Sequence, residues 1–260
     1  MDLGLKGKVA VVTGASQGLG RAIALRLAAE GMAVAAASRN EAKLRTLAGE
    51  IAAAGGECLV HPADLRLPDS PAGLAAAAER RFGRIDLVVN NAGATVRGDF
   101  LQLTEEQWRD GFALKFFGAA RLCREAWSSL AAQGGAIVNI AGVGGRTGSA
   151  DFTIGGPVNA ALLNLTKCLA DRGVADGVRV NAINPGFIRT DRLEQRISLR
   201  AAAQGITREE AARRIASEAG ISRFGEPGEI AAAVAFLGSP QASYIPGVIL
   251  DVDGGITRTL

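Results

Sequence analysis

VAVVTGASQGLG, Val9–Gly20, is an unbroken apolar run that passes into a glycine-rich turn, and RAIALRLAAEG continues it as a helix from Arg21 to Gly31. Gly14, Gly18 and Gly20, with Ser16 and Leu19 between them, have the spacing of a dinucleotide fingerprint. Glycine there lets the chain turn tightly, and backbone N–H groups then approach a pyrophosphate at the positive end of the helix. The spacing alone is a weak sign. A strand before it and a helix after it make it a strong one.

Further apolar runs follow at Met32–Ser38, Glu57–Leu65, Ile85–Gly93, Gly135–Gly142, Val178–Gly186 and Gly247–Gly255, separated by helical stretches. Continuous apolar strands alternating with helices imply a parallel sheet covered on both faces. The expected fold is therefore α/β, a Rossmann-like doubly wound sheet of about seven strands. No linker or repeat divides the chain, so residues 1–260 read as one dinucleotide-binding domain. Residues 190–224 are polar and helical and lie between the sixth and seventh strands, where an insertion reads either as a substrate lid or as a plain surface helix pair.

Composition narrows the function. The net charge is +3, but basic and acidic residues alternate, as in TREEAARRIASE at Thr207–Glu218, so no nucleic-acid footprint is expected. Cys58, Cys123 and Cys168 are scattered and odd in number, which suits free thiols and implies no metal site. With no leader pattern and no apolar run of spanning length, no membrane association and a cytoplasmic location are expected. At the end of the second strand stand Ser38, Arg39 and Asn40, where an acidic residue would grip the ribose hydroxyls of NAD(H). Arg39 suits a 2′-phosphate and favours NADP(H), the alternative being a solvated strand-end arginine.

TGASQGLG, NNAG at Asn90–Gly93, IVNIAG, NPGFIRT at Asn184–Thr190 and the RFGEPGEIAAAVAFLGSPQASYIPGVILDVDGG segment together resemble the short-chain dehydrogenase/reductase family, in its β-ketoacyl reductase-like members. The resemblance covers essentially the whole chain. It implies that Asp64 and Leu65 border the adenine and that Asn90, Ala92 and Gly93 back the cofactor. It also gives Pro185, Gly186, Ile188 and Thr190 to the cofactor, with the last two beside the nicotinamide amide, and Asn159 to the position that holds the ribose. A homodimer or homotetramer is implied as well, with Phe116, Phe117 and Trp127 at an interface or in the core.

The same resemblance exposes a departure. The family's catalytic asparagine, serine, tyrosine and lysine align with Lys115, Gly142, Gly155 and Asn159. Neither Tyr244 nor His61, the only residues of their kinds, is placed to compensate. A general acid contributes about 10²–10⁴-fold and an oxyanion donor about 10²–10³-fold, so standard ketone reduction is expected to be lost or strongly altered.

Lys115 falls on the stripe Trp108, Phe112, Lys115, Ala119, Leu122 and Ala126, where an ammonium must be paired, neutralised or facing a cavity. Gly142 and Gly155 would enlarge that cavity. Lys115, with the helix start at GGP, Gly155–Pro157, would then hold an anionic group of a small-molecule ligand, assisted by Arg97, Arg146 and Arg189; alternatively Lys115 bonds backbone carbonyls and GGP is only a turn. Three functions stay open: an oxidoreductase working through Lys115, a non-catalytic nucleotide-binding or oligomer-partner protein, and a non-redox lyase or hydrolase using Lys115 in an enlarged pocket.

Overall fold

A computed structural model describes residues 2–258. Seven parallel strands form one sheet among these residues, in the order β3-β2-β1-β4-β5-β6-β7. They are β1 (Val9–Thr13), β2 (Ala33–Ser38), β3 (Cys58–Pro62), β4 (Leu87–Asn90), β5 (Ala136–Ile140), β6 (Arg179–Pro185) and β7 (Ile249–Val252). The central strands β1, β4 and β5 are buried at every residue, as their uninterrupted apolar sequences require. The order reverses between β1 and β4, and at that switch the carboxyl ends of the strands open a crevice.

Helices cover both faces. α1 (Gly18–Ala29), α2 (Glu41–Ala53) and α9 (Pro227–Gly238) pack on one side, where Ile23, Leu27, Leu44, Ile230 and Val234 join Val12, Val34 and Val89 in the core. α3 (Ser70–Phe82), α5 (Gly118–Gln133) and α6 (Gly155–Asp176) lie on the other, where Leu74, Leu122 and Leu130 meet Val11, Val88 and Ile137. α7 (Asp191–Gln204) and α8 (Arg208–Ala219) occupy the insertion before α9. They close a small core of their own from Leu193, Ile197, Ala211, Ile215 and Phe224.

α4 (Glu105–Phe112) runs into α5 through a π-helical turn, Ala113–Phe117. The extra residue shifts the phase of everything upstream. Ala119, Leu122 and Ala126 are buried as the periodicity predicts, but before the turn the buried position is Gly111, pressed against Ile154, and not Phe112. Trp108 and Phe112 instead line an open groove with Phe117. Tyr244 is 99 % exposed, so it supplies no structural packing.

Candidate functional site

At the nucleotide end, β1 delivers the chain to Gly14 at φ +66° and Gly18 at φ +55°, conformations that favour glycine. A Cβ on Gly20 would stand 2.2 Å from the Gly14 carbonyl oxygen, so α1 can begin this close to the turn only with glycine there. Asn91, which the sequence reading passed over, fastens the turn: its Nδ2 donates to the carbonyls of Thr13 (3.0 Å) and Gly14 (3.3 Å). The backbone N–H groups of Asn91 and Ala92 donate to Thr13 Oγ1. α1 starts with no side-chain cap and no acidic residue in its first turn, so its leading N–H groups remain available to an anion. The Thr190 methyl lies 3.6 Å from where a Gly18 Cβ would be, which brings the start of α7 onto the glycine turn beside Ser16 and Leu19. These glycines and the bare helix start fit a dinucleotide.

Around this cradle the expected residues divide. Arg39 is exposed just past β2 and pairs with no carboxylate among the described residues. Asp64 is tied to Arg66 (3.3 Å), which also forks onto Asp110 and holds that carboxyl below its usual range. Leu65 is buried, its carbonyl close under Gly118. The Asn90 side chain turns into the sheet and donates to Asn139 Oδ1 (2.8 Å), and the Asn139 amide donates on to Thr166. Pro185 ends β6, and Gly186 is glycine because Asp253 crosses at 2.7 Å from its missing Cβ. Ile188 is buried and bridges Gly225.

At the chemical end, β5 runs out through Ala141 to Gly142, whose N–H donates to Asn184 Oδ1 (3.1 Å). Asn184 in turn donates to Asp251, and Asp251 pairs with Arg146 (3.2 Å). Arg146 is therefore tied into a chain of polar contacts that runs from Gly142 to the end of β7. Gly142 sits at φ +151°, a conformation that a serine adopts only under strain. Asn159 is 4 % exposed, its amide close to Gly142, and its Oδ1 has no hydrogen-bond partner. An orphaned buried amide of this kind suits a cofactor hydroxyl.

Lys115 projects from the π-helical turn. Its stem lies across Gly93, where any Cβ would come within 2.9 Å of Lys115 Cδ. Its ammonium donates to the Ala141 carbonyl at 2.7 Å, one residue from Gly142, and does not reach out to solvent. Burial, and then the charge of Arg192, push its pKa down to about 7. Arg192 of α7 donates to the Gly93 carbonyl at 3.0 Å, closing the same corner from the other side.

The enlarged pocket expected from Gly142 and Gly155 is not open. A Cβ built on Gly155 would stand 2.0 Å from Phe152 Cζ, so the Phe152 ring fills the direction in which a tyrosine would project. The ring also packs on Gly144, and the Arg97 guanidinium sits 4.0 Å above it. Arg97 pairs with Asp151 at 2.9 Å. α6 begins at Gly155, as GGP suggests, but with Phe152 laid over its first residue and the Phe152 carbonyl accepting from Gly156 N–H (2.8 Å). The helix start is thus covered and is not a free anion holder.

The family profile described as Enoyl-(Acyl carrier protein) reductase matches residues 14–257. The chain belongs to the short-chain dehydrogenase/reductase family. It is 38% identical over 259 residues to an uncharacterised oxidoreductase of Mycobacterium tuberculosis, covering 97% of this chain and 93% of that protein. It is 36% identical to the 3-oxoacyl-[acyl-carrier-protein] reductase of a Synechocystis species, covering 97% and 98%. Among solved structures it superposes with a TM-score of 0.96 and 33% identity, over 100% of both chains, on L-sorbose reductase from Gluconobacter frateurii complexed with NADPH and L-sorbose. No described helix is long and apolar enough to cross a membrane.

Proposed function

We propose that this chain binds NADP(H) and is an oxidoreductase of altered chemistry, in which Lys115 replaces the missing proton donor and ordinary ketone reduction is slow. The observation that carries the reading is what stands at the four catalytic positions. Of Lys115, Gly142, Gly155 and Asn159, only Lys115 bears a group that exchanges a proton, and its ammonium is held beside Gly142 at the Ala141 carbonyl. A pKa of about 7 lets it both give and take a proton near neutral pH.

Bound NADPH supplies the hydride. Gly14, Gly18, Gly20 and the leading N–H groups of α1 receive the pyrophosphate, Arg39 the 2′-phosphate, and the orphaned Asn159 amide a ribose hydroxyl. The NADPH complex of the similar L-sorbose reductase supports this choice of nucleotide. α7 and α8 act as a lid, since Arg192 and Thr190 already lean onto the Gly93 and Gly18 loops. The scattered free thiols suit the cytoplasm, and Phe117, exposed at the end of the π-helical turn before α5, suits a homodimer or homotetramer.

One observation favours a second reading, a nucleotide-binding protein without turnover: the Phe152 ring occupies the place of the phenol. A titration of the purified chain with NADPH followed by fluorescence, then turnover of plain and activated ketones, separates the two. Slow turnover confined to activated carbonyls and abolished in Lys115→Met supports the oxidoreductase. Binding without any turnover selects the second reading, and rapid reduction of an unactivated ketone refutes both.

A further inference from the structure

The insertion is dense in arginine. From Arg189 to Arg223 there are eight, and on a helical pair of this kind each is expected to find an acidic neighbour. Six do. Arg189 pairs with Glu194 and Glu226, Arg200 with Glu218, Arg208 with Glu194, Arg213 and Arg214 with Glu210, and Arg223 with Glu229.

Arg192 and Arg196 make no ion pair among the described residues; Arg192 reaches the Gly93 carbonyl, and Arg196 lies near enough to Arg97 and Asp151 to feel their charges. Four residues apart on α7, they share one face of the helix. Arg192 is pinned to the Gly93 carbonyl, where its charge acts on Lys115. Arg196 stacks on the Phe187 ring with its guanidinium carbon 4.9 Å from the ring centre. Partial burial and the nearby Arg97 both disfavour its charge, and Asp151 and Glu218 only partly offset them. Asp151 is itself taken by Arg97. The mouth between α7 and the Gly93–Gly98 loop thus holds excess positive charge at one place, on a helix whose one other arginine, Arg200, is neutralised by Glu218. Like charges gathered without counter-charge destabilise the free protein and strengthen its hold on an anion.

We infer that Arg192 and Arg196 form an oxyanion-binding subsite, and that the substrate is a carbonyl compound bearing a carboxylate or phosphate group at one end. Its carbonyl lies toward Lys115 and its anionic group at the two guanidiniums. This deepens the oxidoreductase reading and rests on it. It also relocates the anion site that the sequence suggested, from the covered start of α6 to the exposed inner face of α7.

The test is isothermal titration of the full chain, saturated with NADPH so that the nucleotide's own phosphate sites are filled. The probes are acetoacetate, acetonylphosphonate and the neutral methyl acetoacetate. Either anion is expected to bind more tightly than the ester, and the preferred one tells carboxylate from phosphate. Arg192→Gln and Arg196→Gln are each expected to weaken that anion about 10-fold or more, the loss of one charge-assisted hydrogen bond, while Arg214→Gln, on α8 and paired with Glu210, leaves it unchanged. Equal affinity for the ester, absence of binding by both anions, or the same loss in Arg214→Gln overturns the subsite. NADPH affinity is measured separately by fluorescence. A chain that binds no NADPH refutes the functional reading, and the anion titrations of the bare chain still decide the arginine subsite.

Discussion

Replacing Gly155 by alanine is the sharpest probe of the chemical end. In an ordinary helix the change is stabilising, by up to about 1 kcal/mol, because glycine loses more backbone entropy on folding. Here the new methyl would lie 2.0 Å from Phe152 Cζ and 2.1 Å from Cε2, well inside contact distance. The ring cannot move freely, since Gly144 lies beneath it and Arg97 above it at 4.0 Å. Overpacking of this kind costs about 1–3 kcal/mol, so the expected sign is reversed and Gly155→Ala destabilises. For a chain of this length that lowers Tm by roughly 2–10 °C. In a Phe152→Ala background the obstruction is gone, and the same Gly155→Ala change should be neutral or stabilising. The double-mutant cycle, from urea denaturation of the four proteins, should give a coupling of at least about 1 kcal/mol. A stabilising Gly155→Ala in the wild-type chain, or additivity within about 0.5 kcal/mol, would refute the placement of the ring. The same logic predicts that grafting a tyrosine at 155 restores nothing unless Phe152 is removed with it.

Lys115→Met tests the buried ammonium through pH. The unfolded chain keeps this proton up to about pH 10.4, whereas the fold releases it near pH 7. Within that window the unfolded state binds more protons, so wild-type stability relative to Lys115→Met should rise with pH by a few kcal/mol in total and be flat below the window. A difference that stays constant from pH 6 to about pH 10 contradicts the assignment. Arg39→Gln should weaken NADPH about 10–100-fold while leaving NADH within about 2-fold, read by fluorescence titration; an equal loss for both nucleotides removes Arg39 from the 2′-phosphate. Gly20→Ala forces a Cβ against the Gly14 carbonyl and Asn91 Nδ2, and should cost at least about 2 kcal/mol and abolish nucleotide binding. Normal NADPH affinity in that variant would sink the account of the turn.

The fold was readable from the sequence because its determinants are local. Apolar runs such as VAVV and LVVN demand burial on both faces, and glycine at 14, 18 and 20 leaves little choice of backbone, so the seven-stranded doubly wound sheet and the cradle follow from composition and spacing. Asn91 escaped because its role is visible only when two strand ends meet: adjacent asparagines look alike in a sequence, yet one points into the sheet and the other clasps the turn. The shift from Phe112 to Gly111 was equally hidden, since a π-helical turn adds a residue that helical periodicity does not register.

At the chemical end the family resemblance implies which groups are missing, and the structure shows how the residues at those positions pack. Deleting a phenol side chain predicts a cavity only if nothing else moves, and close packing makes that the exception. Phe152, three residues before Gly155, turns back over the helix start and fills the space that Gly155 leaves. The arginines of α7 and α8 show the same limit for charge. Read along the chain, Arg192 and Arg196 are indistinguishable from their six neighbours, and only pairing in space separates the neutralised ones from the two left unpaired among the described residues. Lys115 belongs with them: its altered acidity comes from burial at Ala141 and from Arg192, a residue far along the chain, so its chemistry depends on how closely α7 approaches Gly93. Substrate that draws Arg192 toward its own anionic group would lessen that repulsion and raise the lysine's affinity for its proton, leaving Lys115 better charged as an acid when the site is filled than when it is empty.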